Sequence, residues 1–257
     1  MKTREDIVAN WLPRYTGCAL ESFGKYILLV NFDQYVYMFA KKTGVEVQGT
    51  DKPMLSATFE DISIINFGIG SPNAALIMDL LSAIRPKAAL FLGKAGGLRA
   101  KNSLGDFVLP IAAIRGEGTS NDYFAPEIPA LPAFSLQKAI SSTMNRKFST
   151  DYWTGTVYTT NRRVWEWDDD FKVKLKTTRA MAIDMETATL FTTGFYNKIP
   201  CGALLLITDK PMTPDGVKTG DSDKYVSQEF MDLHLRIGIE SLREIQFEGT
   251  SIRHLKF

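Results

Sequence analysis

The sequence predicts an α/β fold built around a mixed β-sheet. Short apolar runs that end in Gly, Asn or Asp are typical of buried strands, and they occur at residues 25–32, 61–68, 88–93 and 201–209. Weaker strand patterns lie at 54–60, 106–115 and 151–160. Helical patterns separate most of these runs, which indicates the α/β class. Some strands follow one another without a helix between them, so a mixed sheet is favoured over a purely parallel one.

Three helices are predicted between and after these strands. The first, at 71–85, opens with a Ser-Pro pair and stops at Pro86, a combination typical of helix ends. The others lie at 186–197 and at about 222–246, where apolar residues recur at near-helical spacing. No repeat or linker interrupts the chain, so we expect a single catalytic domain over residues 1–257.

Composition excludes several classes of protein. A hydrophobic content of 45% is too high for a disordered chain, and the net charge of +1 implies no polyanion-binding surface. We therefore expect no nucleic-acid partner. No apolar run approaches the roughly 18 residues that a membrane span requires, and the first residues lack the apolar core of a signal peptide.

Metal and redox chemistry are not indicated by the sequence. Two cysteines, Cys18 and Cys201, lie far apart, and only two histidines are present. Neither a zinc spacing nor a CxxC pair is found. We expect no metal and no cofactor, and we expect reduced cysteines in a cytoplasmic protein.

Two glycine-rich segments lie where strands end and helices begin, which is where sites gather in such folds. Gly68 and Gly70 leave backbone amides that can face an anion or a ribose, although a tight turn explains them equally well. The next segment, 92–99, carries three glycines around Lys94. That lysine is interpreted either as a charge held near a ligand or as an ordinary surface residue.

Two carboxylates follow later strands. Glu186 starts an apolar helix, where it either faces the helix dipole or accepts hydrogen bonds from a sugar. Asp209 follows a strongly apolar strand, and it is either a turn residue or a general acid with a raised pKa. A polar segment carries the aromatic residues Tyr158, Trp165 and Trp167. Their rings either stack on a nucleobase or form a lid that packs on the protein surface.

Three motifs, in order along the chain, resemble the purine nucleoside phosphorylase / nucleosidase superfamily. They are GKAGGL (93–98), DMETATLF (184–191) and LLLITDKP (204–211). Further segments resemble the members of that superfamily that act on AMP. These are GIGSPNA (68–74), AIRGEGTS (113–120), VYTTNRRVWEWD (157–168) and TDKPMTPDGVKT (208–219).

The resemblance implies a three-layer α/β sandwich around a mixed sheet, assembled as a homo-oligomer that is usually a hexamer. It also implies that Asp209 protonates or hydrogen-bonds the purine N7, and that Glu186 holds the ribose hydroxyls. Met185 would pack under the sugar, and Gly70 would face the ribose and the anion. The base pocket would come partly from the segment between Tyr158 and Trp165. We expect the chain to lack the additional N-terminal domain of the long bacterial form.

The sequence departs from the phosphorylase pattern in two places. Phosphorylases supply an arginine to the attacking phosphate after the first strand, and the corresponding stretch, 30–37, contains none. They also place Ser or Thr after the glycine at position 93, where this chain has Lys94. Lys94 and Arg115 can instead neutralise a substrate 5′-phosphate, and the sequence does not choose between them.

The expected reaction is hydrolysis of the N-glycosidic bond of AMP to adenine and ribose 5-phosphate, with inorganic phosphate as a further ligand or effector left open. The alternatives are a phosphorylase or nucleosidase of unphosphorylated nucleosides, and a nucleotide sensor without turnover. Asp33, at the end of the first strand, is a candidate base for the attacking water.

Overall fold

The strands of the fold account for all seven apolar patterns and add one short strand. The computed structural model describes residues 2–213 and 216–247. The strands are β1 (Tyr26–Val30), β2 (Ser56–Phe59), β3 (Ile62–Asn66), β4 (Ala88–Gly97), β5 (Phe107–Gly116), β6 (Trp153–Thr160), β7 (Ala182–Asp184) and β8 (Cys201–Asp209). Residues 214 and 215 of the TDKPMTPDGVKT segment, and residues 248–257 of the predicted domain span, lie outside the described residues.

Helices cover both faces of this sheet. They are α1 (Arg4–Thr16), α2 (Asp33–Thr43), α3 (Ser71–Leu81), α4 (Phe134–Thr143), α5 (Asp169–Thr178), α6 (Thr187–Tyr196) and α7 (Gly220–Phe247). The three predicted helices are present as α3, α6 and α7. α3 ends before its predicted limit, because tight turns follow it and Arg85 adopts a left-handed conformation at φ 47°.

The sheet is mixed, as predicted, and part of it closes on itself. The strand order is β2-β3-β1-β4-β7-β6-β5-β8, and β8 also pairs with β4. Five strands, β4, β7, β6, β5 and β8, therefore form a ring, from which β1, β3 and β2 extend as an open sheet. The register of β4 against β8 shifts between Ala95 and Gly96, just where β7 begins to pair with β4. Such an irregularity bends a strand, and here it lets β7 and β8 both reach the same end of β4.

The side chains of β1 point alternately to the two faces of the sheet, and each face is covered by its own layer of helices. Ile27 and Leu29 pack into the core that α1, α3 and α6 cover, whereas Leu28 and Val30 pack under α2, α4 and α7. A smaller cluster, which includes Trp165 and residues of β6 and α5, lies beside the ring. Among the described residues, no helix combines the length and the apolar character needed to cross a bilayer.

Candidate active site

A pocket opens at the carboxyl ends of β1, β4, β6, β7 and β8. At the floor of the pocket, three chain segments approach one another closely at Gly96. A Cβ atom at this position would lie 3.0 Å from Cγ of Pro211 and 3.2 Å from a side-chain carbon of Ile183. Glycine therefore allows the loop after β8 and the end of β7 to meet over β4.

Glu186 precedes α6 and is buried in the pocket wall. Its Oε1 accepts a hydrogen bond of 2.6 Å from the backbone N–H of Gly70, and its Oε2 accepts one of 3.2 Å from that of Met185. Burial raises the pKa of Glu186, and the neighbouring Asp184 carboxylate raises it further. The structure thus brings three of the predicted site residues, Gly70, Met185 and Glu186, into direct contact.

Asp184, two residues before Glu186, also lines the pocket and is tied to the fold by hydrogen bonds. It accepts hydrogen bonds of 2.7 Å from the Thr159 hydroxyl, 2.7 Å from the backbone N–H of Thr187 and 2.6 Å from the Thr187 hydroxyl. Burial raises the pKa of this carboxyl, and these donors oppose the rise. Because its oxygens are occupied by protein donors, Asp184 orients the start of α6 and leaves Glu186 to face the pocket.

Asp209 ends β8 and lines the opposite part of the pocket. Its Oδ1 accepts a hydrogen bond of 3.0 Å from the Thr208 hydroxyl. Burial raises the pKa of Asp209, while the positive charges of Lys218 and Arg163 act against that rise. A partly buried carboxyl with a raised pKa at the mouth of a strand has the character of a general acid.

A pair of lysines forms another side of the pocket. The Lys94 side chain is only 3% exposed, and its Nζ donates to Asp223 at 3.0 Å and to the Ser227 hydroxyl at 2.9 Å. Lys218 contacts the same Asp223 oxygen at 2.8 Å. Both ammonium groups lie over the Phe32 ring, at 4.7 and 5.7 Å from its centroid. Burial lowers the pKa of Lys94.

The loop after β6 covers the pocket. Trp165 is buried, lines the pocket and packs edge-to-face on Phe171. Arg162 and Arg163 also line it and are paired with Asp168 at 2.8 Å and with Glu166 at 3.5 Å, respectively. Trp167, by contrast, is 72% exposed, so only one of the two tryptophans in this segment reaches the site.

Three predicted binding residues, Gly70, Tyr158 and Arg115, are not part of the pocket lining, although Gly70 contacts Glu186 through its backbone N–H. The ring of Tyr158 is buried in the cluster beside the strand ring, against Phe171, because the alternation of β6 turns it into the core. Arg115 is held elsewhere: its guanidinium donates to the Ser120 hydroxyl at 2.8 Å and to backbone carbonyls of the following loop, including that of Phe124. These contacts satisfy the fork geometry of arginine and fix the loop.

The proposed base for water is also misplaced. Asp33 starts α2 on the protein surface and accepts a hydrogen bond from the side chain of Asn66. The pocket is instead lined at this strand end by Asn31 and Phe32, which the sequence analysis did not select. Lys218 was also missed, although its position in the TDKPMTPDGVKT segment was a usable signal. Within residues 2–213 and 216–247, no group of three or more acidic, His or Cys side chains could hold a metal.

Comparison with known proteins gives a consistent assignment of family. The family model described as "Phosphorylase superfamily" matches residues 25–243. AMP nucleosidase of Escherichia coli K12 is 27% identical over 98% of this chain, which spans 61% of that relative's length. Guanosine phosphorylase of Halorubrum lacusprofundi is 26% identical over 72% of this chain and 76% of its own.

Solved structures show the same fold. The crystal structure of AMP nucleosidase from Bacteroides thetaiotaomicron aligns with a TM-score of 0.86 and 54% identity, covering 95% of this chain and 98% of that one. Uridine phosphorylase from Vibrio fischeri aligns with a TM-score of 0.77 and 21% identity, covering 88% and 93%. The second likeness concerns the fold alone.

Proposed function

Because the chain belongs to the phosphorylase superfamily, we propose that it hydrolyses the N-glycosidic bond of AMP to adenine and ribose 5-phosphate. One observation carries the proposal: a carboxyl suited to general-acid work, Asp209, shares a pocket with two lysines that, among the described residues, share one carboxylate, Asp223. The similarity to the Bacteroides protein supports the same reaction.

Departure of the purine needs a proton. Cleavage of the bond to the anomeric carbon gives that carbon oxocarbenium character and leaves negative charge on the base. Asp209 is assigned the role of donating a proton or a hydrogen bond to N7. Its raised pKa keeps the proton available at a higher pH than an ordinary carboxyl would.

The sugar is assigned to the side of the pocket that holds Glu186. Two backbone N–H groups fix its carboxylate, so it can accept from ribose hydroxyls without rearrangement. Met185 lines the same region and is assigned to the face of the sugar. Gly70, whose backbone N–H is bonded to Glu186, is assigned to the edge beside it. Negative charge on this side also stabilises the developing cation electrostatically.

The 5′-phosphate is assigned to Lys94 and Lys218. Two ammonium groups beside one carboxylate leave an excess of positive charge. A phosphate dianion would neutralise that charge, whereas an uncharged nucleoside would not. Trp165 and Phe32 supply aromatic surface for the nucleotide. Arg115 is not retained as a phosphate ligand, because its guanidinium is engaged by the loop that follows β5.

Assembly and location belong to the same proposal. We propose a cytoplasmic homo-oligomer, a hexamer, formed by one domain that spans the chain. An apolar groove between α6 and the segment before α4 supports self-association, since Leu131 there is 53% exposed and Ile128 is 40% exposed. Both cysteines are buried and unpaired, which suits a reducing compartment. Sedimentation velocity would test the oligomer directly.

The test of the reaction is an incubation with AMP, adenosine, IMP and GMP, with and without inorganic phosphate. We expect adenine and ribose 5-phosphate from AMP in the absence of phosphate. Release of base that requires phosphate, with a sugar 1-phosphate as product, would identify a phosphorylase. Binding of AMP without release of base would identify a sensor. An effect of phosphate on the rate alone would make phosphate an effector.

A further inference from the structure

Asn31 lies directly after β1 and is 6% exposed at the base of the pocket. The alternation of β1 turns its side chain to the same face of the sheet as α6. Its amide lies beside the Glu186 carboxylate and lowers the pKa of that carboxyl. The other end of the amide, Oδ1, has no hydrogen-bond partner among the described residues.

The donor and acceptor ends of the Asn31 amide differ, and this difference determines which end faces Glu186. A carboxylate only accepts hydrogen bonds, so the NH₂ of Asn31 must face Glu186 and the carbonyl oxygen must face away. A buried acceptor without a partner is unfavourable, and such groups are normally satisfied by water or a ligand. The Oδ1 atom therefore marks a place where the pocket receives an O–H or N–H donor.

The position of this acceptor relative to Asp209 indicates which donor it receives. β1 and β8 flank β4 on opposite edges, with Val30 beside Leu92 and Asp209 beside Gly96. Two strand spacings, about 10 Å, separate them across the sheet, and because Asn31 is level with Gly93 they are also about three residues, or about 10 Å, apart along β4. A sugar above β4 thus has Asp209 on the side of its leaving base and Asn31 across from it. Displacement with inversion needs such a gap, because water must fit opposite the leaving group.

Resting on the proposed function, we infer that Asn31 holds the attacking water, with Oδ1 accepting one of its hydrogens and the Glu186 carboxylate facing the other. The water oxygen bonds to the anomeric carbon as the carbon–nitrogen bond breaks. The bonding electron pair leaves with adenine, which takes the Asp209 proton at N7. The second water proton passes to Glu186, and exchange with solvent returns both carboxyls to their starting states.

The test compares Asn31→Leu with the wild type, using AMP without phosphate. Loss of the acceptor leaves water unoriented, so we expect kcat to fall by about 100-fold. Ground-state binding should persist, and KM should change by less than about threefold. Binding of an AMP analogue whose base is joined to the sugar by a carbon–carbon bond should likewise be retained. A residue that only held the sugar would instead weaken analogue binding in proportion to kcat/KM.

Two further variants keep the outcome decisive. Asn31→Ser keeps a hydroxyl that can donate to Glu186 and accept from water, so its kcat should exceed that of the Leu variant by about tenfold. Asn102→Leu is the matched control, because Asn102 is a buried amide whose oxygen accepts from the backbone N–H of Arg99, away from the pocket lining. It should keep the wild-type kcat.

Each failure has its own signature. A wild type that releases no adenine overturns the proposed function and the role of Asn31 with it. An active wild type with an equally active Asn31→Leu overturns only the role of Asn31. If the Leu variant does not fold, as judged by its melting transition, Asn31→Ala takes its place. A Ser variant about tenfold more active than the Ala variant supports the acceptor role, and equal activities overturn it.

Discussion

Two walls of the pocket differ in how far the protein itself satisfies their hydrogen-bonding groups. In the carboxylate wall, formed by Asp184 and Glu186, backbone N–H groups and threonine hydroxyls satisfy the oxygens. In the cationic wall, formed by Lys94 and Lys218, two ammonium groups carry six N–H donors. In the described part of the chain these lysines make three polar contacts, with Asp223 and Ser227.

The difference indicates which wall is rigid and which awaits a ligand. The carboxylate wall is satisfied by the protein itself, so its geometry is set before a substrate arrives. Among the described residues, the cationic wall has more donors than acceptors, so it gains most from an added anion. Substitutions in the first wall should therefore affect the sugar chemistry, and substitutions in the second should affect the choice between nucleotide and nucleoside.

The largest effect is expected at Asp209, between the two walls. Asp209→Asn should lower kcat for AMP by about two to four orders of magnitude, the usual contribution of a general acid. Binding should survive, because the amide can still hydrogen-bond the purine. Since burial raises the pKa of Asp209, wild-type kcat should fall as pH rises through that pKa. The alkaline limb should be absent in the variant, and full activity in it would remove Asp209 from the mechanism.

The cationic wall is tested by Lys94→Met and Lys218→Met. Loss of one charged contact to phosphate costs about 2–5 kcal/mol, so kcat/KM for AMP should fall by about 30-fold or more. Any weak activity on adenosine should barely change. The comparison of variant with wild type, and of AMP with adenosine, isolates the phosphate contribution. Equal losses on both substrates would assign the lysines to folding or to the sugar.

The carboxylate wall is tested by Glu186→Gln. A charge-assisted hydrogen bond contributes about 1.5–3 kcal/mol, so kcat/KM should fall by about 10- to 150-fold. A 2′-deoxy substrate should be poor for the wild type and relatively less penalised in the variant. Burial and Asp184 raise the pKa of Glu186, so wild-type activity should fall as pH drops through it. Equal deoxy penalties in both proteins would make Glu186 a helix-start acid only.

The smallest effect on catalysis is expected at Arg115, the matched control for the lysines. Arg115→Met leaves several loop carbonyls without their donor, so unfolding free energy should drop by about 1–3 kcal/mol. Denaturant unfolding would measure this. The ratio of kcat/KM between AMP and adenosine should stay at the wild-type value. A shift in that ratio comparable to the one at Lys94 would return Arg115 to the phosphate site.

The strands and the residues at their ends were accessible from the sequence. Runs such as 201–209 are apolar throughout because both faces of the strand are buried, so they stand out without any knowledge of partners. Asp209 and Glu186 could be selected because a polar residue directly after such a run lies at the edge of the sheet, where pockets form. Helices α1, α2, α4 and α5 were not predicted, although they are as long as α3 and α6, because their residues are more polar overall and resemble loop segments in the sequence.

Tertiary structure alone decided which polar residues share the pocket. Lys94 and Arg115 both follow apolar strand residues, yet the partner that each finds is set by chain segments far away in sequence, Asp223 for one and the loop around Phe124 for the other. Hydrogen-bond satisfaction is a property of such distant contacts. Asn31 belongs to the same class, because its amide meets Glu186, which is distant in the sequence, and its carbonyl oxygen has no partner in the described part of the chain. Local propensity places a residue at a strand end, and packing then determines what it touches.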